Sequence, residues 1–292
     1  MADSLIELIK VLRDRTGAGL MDCKSALIES NNDIEKATDW LREKGLAKAA
    51  KKASRIAAEG LAITRVCESC GKVIIIEVNC ETDFVAKGEP FHEFVNNIAG
   101  IILSKGCKTV DEAKDATSSL FADATVKMGE KFDLRRFVVV EPENGCFIGS
   151  YIHMGGKIAV TVKVNGGDAE FAKQLAMHIA ANNPSYINMS DIPADVRDHE
   201  KNIQMELAKQ DPKLAGKPAE FLEKILEGKI NKHFAEVTLA KQAFLMDDTK
   251  TIEQVLSEKK ATVMNYVRYA VGEGIEKRQD DFASEVMKEV NK

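Results

Sequence analysis

The sequence predicts an α+β fold, and three observations carry that expectation. Apolar residues in the first 45 positions recur at the helical spacing i, i+3, i+4, i+7. After Glu59 the spacing changes to the alternation of strands. A hairpin-then-helix order follows and then returns, with Phe94, Ile98 and Ala99 standing 81 residues before Leu175, Ile179 and Ala180. The expected architecture is an N-terminal three-helix domain (1–45) and a basic linker (46–58). A duplicated core with antiparallel strands follows, as an N-subdomain (59–141) and a C-subdomain (142–275). A helical hairpin is inserted at about 193–234, and a C-terminal helical module (276–292) ends the chain.

The elements follow in order. Ser4 and Glu7 fit a capping box, and Leu5, Leu8, Ile9 and Leu12 form one apolar stripe behind it. Gly17 and Gly19 break that helix. A second helix spans about 20–30. Asn31-Asn32-Asp33 caps a third, whose Ile34, Ala37, Thr38 and Leu41 repeat the spacing until Gly45 is expected to stop it. The stretch 46–58 is rich in Ala, Lys and Arg and lacks an apolar stripe, so it reads as a solvated linker, helical by propensity. Its Lys48, Lys51, Lys52 and Arg55 are better explained by solubility than by RNA.

Strands are expected at 61–66 and 73–78 around a turn at 68–71, and at 136–141. Phe91, Phe94, Val95 and Ile98 mark a helix between. A second strand pair, 145–152 and 158–164, surrounds Gly155-Gly156. Phe171, Leu175, Ala176 and Ile179 mark the next helix, and a last strand is expected at 261–271. Between 193 and 234 the period is helical again, and Gln210-Asp211-Pro212 to Pro218 breaks it into two arms.

Composition narrows the function. The 292 residues suffice for two or three modules. With 41 basic against 46 acidic residues, a net charge of −5 and 6% aromatics, a nucleic-acid surface is disfavoured. No apolar run reaches the roughly 18 residues of a membrane span. The first residues carry acids and no basic-then-apolar leader, and six cysteines are too few for a disulfide scaffold, so a reducing cytoplasm is expected.

Catalytic chemistry is not encoded in any recognisable motif. Gly17 to Ser25 superficially resembles a phosphate loop, yet Cys23 stands where glycine is required before Lys24. Gly272-Glu273-Gly274 lacks the third glycine of a dinucleotide fingerprint. The histidines, His92, His153, His178, His199 and His233, form no pair at ligand or triad spacing, and His178 reads as a packed or helix-surface residue. Cys67 and Cys70 have the spacing of half a zinc site or a redox pair, but no second pair completes a site. They read as incidental thiols in a hairpin turn. The stretch Asn79 to Gly88 admits two readings. In one, Asp83 caps a helix and Phe84 packs inward. In the other, Phe84 is a protruding hydrophobic anchor offered to a partner.

Thr16 to Lys24 and Thr82 to Ala86 together closely resemble the two signature stretches of bacterial translation elongation factor Ts. The intervening Lys48 to Ala53 and the late Val271 to Glu276 extend the resemblance over essentially the whole chain. It implies a ubiquitin-associated-like N-terminal domain and a coiled-coil hairpin. It also implies guanine-nucleotide exchange on the GTPase elongation factor Tu in the cytoplasm, with no cofactor, metal or catalytic residue on this chain. By the same resemblance Leu20, Met21 and Lys24 grip the partner's nucleotide domain. Asp83 and Phe84, flanked by Thr82 and Val85, press beside its magnesium and phosphate site, and Met128, Gly129 and His153 make further contacts. Met128 departs mildly from the isoleucine of some relatives, and the Cys67/Cys70 pair lies outside the family pattern. No direct contact with nucleic acid or membrane is expected. A homodimer or a heterotetramer with the partner stays open, as do two alternatives: a zinc- or thiol-dependent protein, and a scaffold or chaperone.

Overall fold

The computed structural model describes residues 4–210 and 219–276. The hairpin break at 211–218, the first three residues and all of 276–292 beyond Glu276 lie outside them. The chain divides into two compact units. The first comprises Met1–Val139, Ile152–Ile158 and Tyr269–Lys292, and the second Val140–Tyr151 and Ala159–Arg268.

The first unit begins with helices α1 (Leu5–Thr16), α2 (Leu20–Glu29) and α3 (Ile34–Lys52). Ser4 and Glu7 form the expected capping box, and Asp33 caps α3 by accepting from Glu35 and Lys36 amides. Leu12, Ala18, Cys23, Ala26, Leu27, Ala37 and Leu41 make the core of the three. Gly45 does not end the helix. Strand β1 (Glu59–Val66), strand β2 (Val73–Cys80), the single turn α4 (Asp83–Ala86), α5 (Glu89–Lys105), α6 (Val110–Met128) and β3 (Asp133–Val140) follow, and α3 packs on α6. A Cβ at Gly45 would lie 2.7 Å from Val126 Cγ2 and 2.8 Å from the Ala122 carbonyl oxygen. The glycine serves close helix approach, and the helix runs on to Lys52. Three basic residues of 46–58 are anchored: Lys48 pairs with Asp22 at 2.9 Å, Lys52 donates to the Gly129 carbonyl, and Arg55, just past the helix, pairs with Glu81 at 3.2 Å.

The first sheet has the order β1-β2-β3, with β1 and β2 antiparallel from Glu59 opposite Cys80 to Val66 opposite Val73. Strand β2 is buried along its whole length. Ile74, Ile76, Val78 and Cys80 enter a core with Phe91, Phe94, Val95, Ile98 and Ile102 of α5. Ring stacking of Phe91 on Phe132 and the edge contact of Phe94 with Phe121 tie α5 to α6 and to the start of β3. The other face of β2 carries the fully buried Glu77. Its carboxylate meets Arg135 Nη1 at 2.9 Å, Arg136 Nε at 2.6 Å, Asn79 Nδ2 at 3.2 Å and the Gly272 amide at 2.9 Å. Arg136 also donates to the Ala270 carbonyl, and Arg135 to that of Glu273. A buried carboxylate is tolerable only when paired and hydrogen-bonded this fully.

The remaining elements are β4 (Cys146–His153), β5 (Ile158–Asn165), α7 (Ala169–Asn182), α8 (Ala194–Gln210), α9 (Ala219–Val237), β6 (Ala243–Phe244), β7 (Asp247–Thr251), α10 (Ile252–Glu258) and β8 (Thr262–Ala270). Their sheets have the orders β4-β5-β8 and β6-β7. Asp168 caps α7, and Phe171, Leu175, Ala176 and Ile179 form its buried face. Helices α8 and α9 pack on one another, and α8 has no fully buried residue. His178 is buried in α7. Its Nε2 stands 2.9 Å from Gln242 Oε1, and its Nδ1 accepts the Leu245 amide at 3.2 Å. Because a backbone amide only donates, the ring is neutral with its proton on Nε2, and burial holds its pKa below the usual value.

Candidate functional site

The turn after β2 decides between the two readings of Phe84. Cys80 ends the strand buried, its Sγ 3.2 Å from the Thr82 carbonyl oxygen, and burial pushes its thiol up to about 12. The backbone then leaves the core at Glu81 and Thr82. Thr82, not Asp83, caps α4, its hydroxyl accepting the Val85 amide at 3.3 Å. The capping role that the inward reading gave Asp83 is therefore overturned: a cap stands in extended backbone, and Asp83 is already inside the helical turn. Within that turn Ala86 is buried and Val85 packs on the core. Asp83 and Phe84 therefore face outward, and Phe84 is 85% exposed. Asp83 Oδ2 lies 2.6 Å from Lys87 Nζ, and that hydrogen bond and charge hold its carboxyl below the usual range. A large ring stands in water beside an ionised pair.

The turn is braced from a distance. Glu130 Oε2 accepts the amides of Glu81 (3.0 Å) and Thr82 (3.1 Å), and Oε1 accepts the Thr82 hydroxyl at 2.5 Å. In return, Glu81 accepts the Lys131 amide at 2.7 Å. Glu130 is a residue that sequence reading missed, since nothing local marks a glutamate as the partner of a turn 48 residues away.

The second cluster lies on α2. Cys23, Ala26 and Leu27 point into the helical core, so Leu20, Met21, Lys24 and Ile28 fall on the opposite face. Met21 is 67% and Ile28 56% exposed. Ile28 extends the stripe by one turn, and its i+4 spacing from Lys24 was the signal available for it.

A family profile described as Elongation factor TS matches residues 81–273. Elongation factor Ts of Sodalis glossinidius (strain morsitans) is 45% identical over 286 residues, 98% of this chain and 98% of that protein. The chain belongs to the elongation factor Ts family. The profile begins at the braced turn, and the relative's match also spans α2.

The other residues singled out by the elongation factor Ts resemblance are placed as follows. Met128 ends α6 and packs on the core. Gly129 caps that helix with φ +76°, a left-handed conformation suited to glycine, and delivers Glu130 to the turn. Met128 and Gly129 thus lead directly into Glu130, which bonds the turn at Glu81 and Thr82. His153 is the last residue of β4, followed by Met154 of the β4–β5 connection, which is 69% exposed. That connection is fastened to β1 by the Ala62 amide on the Gly156 carbonyl at 2.7 Å and by Lys157 on Glu59 at 2.6 Å. Among the described residues, no group of three or more His, Cys, Asp or Glu is placed to hold a metal ion, and no helix is long and apolar enough to cross a membrane.

Proposed function

We propose that this chain is a guanine-nucleotide exchange factor for elongation factor Tu, speeding GDP release during translation elongation. Membership of the elongation factor Ts family supports that activity, and favours neither the zinc or thiol reading nor the scaffold reading. The observation that carries the mechanism is Phe84, 85% exposed on a turn held rigid by Glu130. An exposed aromatic costs solvation in the free protein and becomes an anchor when a partner covers it.

The mechanism follows from charge. Magnesium and backbone amides of the partner hold the phosphates of GDP electrostatically, so small displacements weaken binding steeply. Phe84, pressed in beside that site with Asp83, moves those elements and GDP leaves. Leu20, Met21 and Lys24 supply affinity from α2, with Ile28 beside them. Met128, Gly129 and His153 complete the contact. Linkage requires that nucleotide and factor weaken one another equally, so GTP rebinding expels the factor. The reaction changes no covalent bond and needs no cofactor on this chain. In this reading α1, α2 and α3 up to Gly45 form a ubiquitin-associated-like domain, 46–58, which begins as the last two turns of α3, joins it to the two core subdomains, and α8 and α9 are the arms of an antiparallel coiled coil. The protein works in the cytoplasm without touching nucleic acid or membrane. Release of labelled GDP from elongation factor Tu, with and without the chain, tests the proposal. An unchanged release rate overturns it.

A further inference from the structure

The tip of the β1–β2 hairpin holds two cysteines that nucleotide exchange leaves unused. The loop is tight: the Gly71 amide donates to the Cys67 carbonyl and the Cys67 amide to that of Lys72, both at 2.8 Å. Turns of this size bring Cα atoms three positions apart to under about 7 Å, and a disulfide spans roughly 4.4–6.8 Å. Cys67 is half-buried and Cys70 exposed. The Cys67 sulfur lies 3.2 Å from Ser69 Oγ, and Cys70 also hydrogen-bonds to it. These contacts, Cys70 first, pull the Cys67 thiol down to about 7. The turn itself thus favours a thiolate at Cys67. Of the other cysteines, Cys23 and Cys80 are buried with thiols pushed up by burial, and Cys107 and Cys146 are half-buried.

We propose that Cys67 and Cys70 are a dithiol site for low-molecular-weight disulfides, with Cys67 as the attacking sulfur and Cys70 as the resolving one. The Cys67 thiolate attacks one sulfur of the small disulfide, forming a mixed disulfide and expelling one small thiolate. Cys70 then loses its proton and attacks the Cys67 sulfur, closing the Cys67–Cys70 bond and expelling the second. Two protein thiols are oxidised, one small disulfide is reduced to two thiols, and the exchange runs backward when the small thiol is in excess. At neutral pH a thiol of pKa 7 is about fifty times more ionised than one at 9, while its lower nucleophilicity returns much of that. The net advantage is about five- to eightfold. It favours Cys67 as the point of attack, and the neighbouring Cys70 makes the second step intramolecular.

The test uses the full reduced chain and glutathione disulfide, with thiols counted and peptides mapped by mass spectrometry. Two thiols should be lost per chain, both from the peptide containing Cys67 and Cys70, with two glutathiones released. Cys70→Ser should stop at one glutathione adduct on Cys67, and Cys67→Ser should slow the first step about five- to eightfold. Three results would overturn the proposal: a stable mixed disulfide on the parent chain without closure, prior reaction at Cys107 or Cys146, or stoichiometric zinc held by the pair in the purified protein.

Discussion

Glu130 grips Thr82 twice, accepting its hydroxyl at 2.5 Å and its backbone amide at 3.1 Å. The carboxylate takes the Glu81 amide as well, so one side chain at the end of α6 fixes the two residues that aim α4. Preorganisation of this kind lowers the ordering cost of binding. Glu130→Ala should hand these largely exposed donors to water and cost about 0.5–1.5 kcal/mol of stability. GDP release from the partner should slow, with Phe84 still present. Thermal unfolding and exchange assays on one preparation check both; an exchange rate equal to the parent's would remove Glu130 from the mechanism.

Phe84 itself separates function from stability. At 85% exposure it contributes little to the core, so Phe84→Ala should change stability by no more than about 0.5 kcal/mol. Loss of an interface anchor worth about 2 kcal/mol slows exchange about thirtyfold. A large drop in melting temperature would show instead that the ring packs in solution.

Gly45→Ala sets two effects against each other. Alanine gains about 1 kcal/mol of helix propensity over glycine. Its Cβ, however, meets the Ala122 carbonyl oxygen at 2.8 Å and Val126 at 2.7 Å, and overpacking of this kind costs about 1–3 kcal/mol. The clash should win, lowering the melting temperature and weakening affinity for the partner by loosening α3 from α6. A stabilised variant would mean that the two helices separate at no cost.

His178 should make stability fall in mild acid. Burial depresses its folded pKa below the usual 6.5, so at lower pH the unfolded chain takes up a proton before the folded one does. The contribution is whole above about pH 6.5 and is lost progressively as pH falls toward the folded value. Denaturant midpoints at about pH 7.5 and pH 5.5 should differ more for the parent than for His178→Gln. Equal differences would show that other groups carry the acid sensitivity.

Much of this was legible in the sequence because local rules were obeyed. The capping box at Ser4, the stripe of α1 and the apolar run of β2 each name their element directly. The failures have physical reasons. Gly45 looked like a stop because glycine is a poor helix former, yet its missing side chain answers to α6. Phe84 was undecidable alone, since an aromatic after a strand satisfies an inward or an outward role equally. The choice rests on Ala86 and Val85 taking the inward face. Glu130 and Glu77 could not be found locally, because their partners are distant in sequence.

Glu77 also dictates when this protein is able to finish folding during its own synthesis. The carboxylate is buried with Gly272 as one of its partners, 195 residues downstream. Ribosomes add roughly 5–20 residues per second, so about 10–40 s separate the appearance of the two. Until then the nascent chain holds a charged strand lacking one of its buried partners, and Arg135 and Arg136 lack the carbonyls of Glu273 and Ala270. The polar side of the first unit's sheet closes only after residues 270–273 have been made.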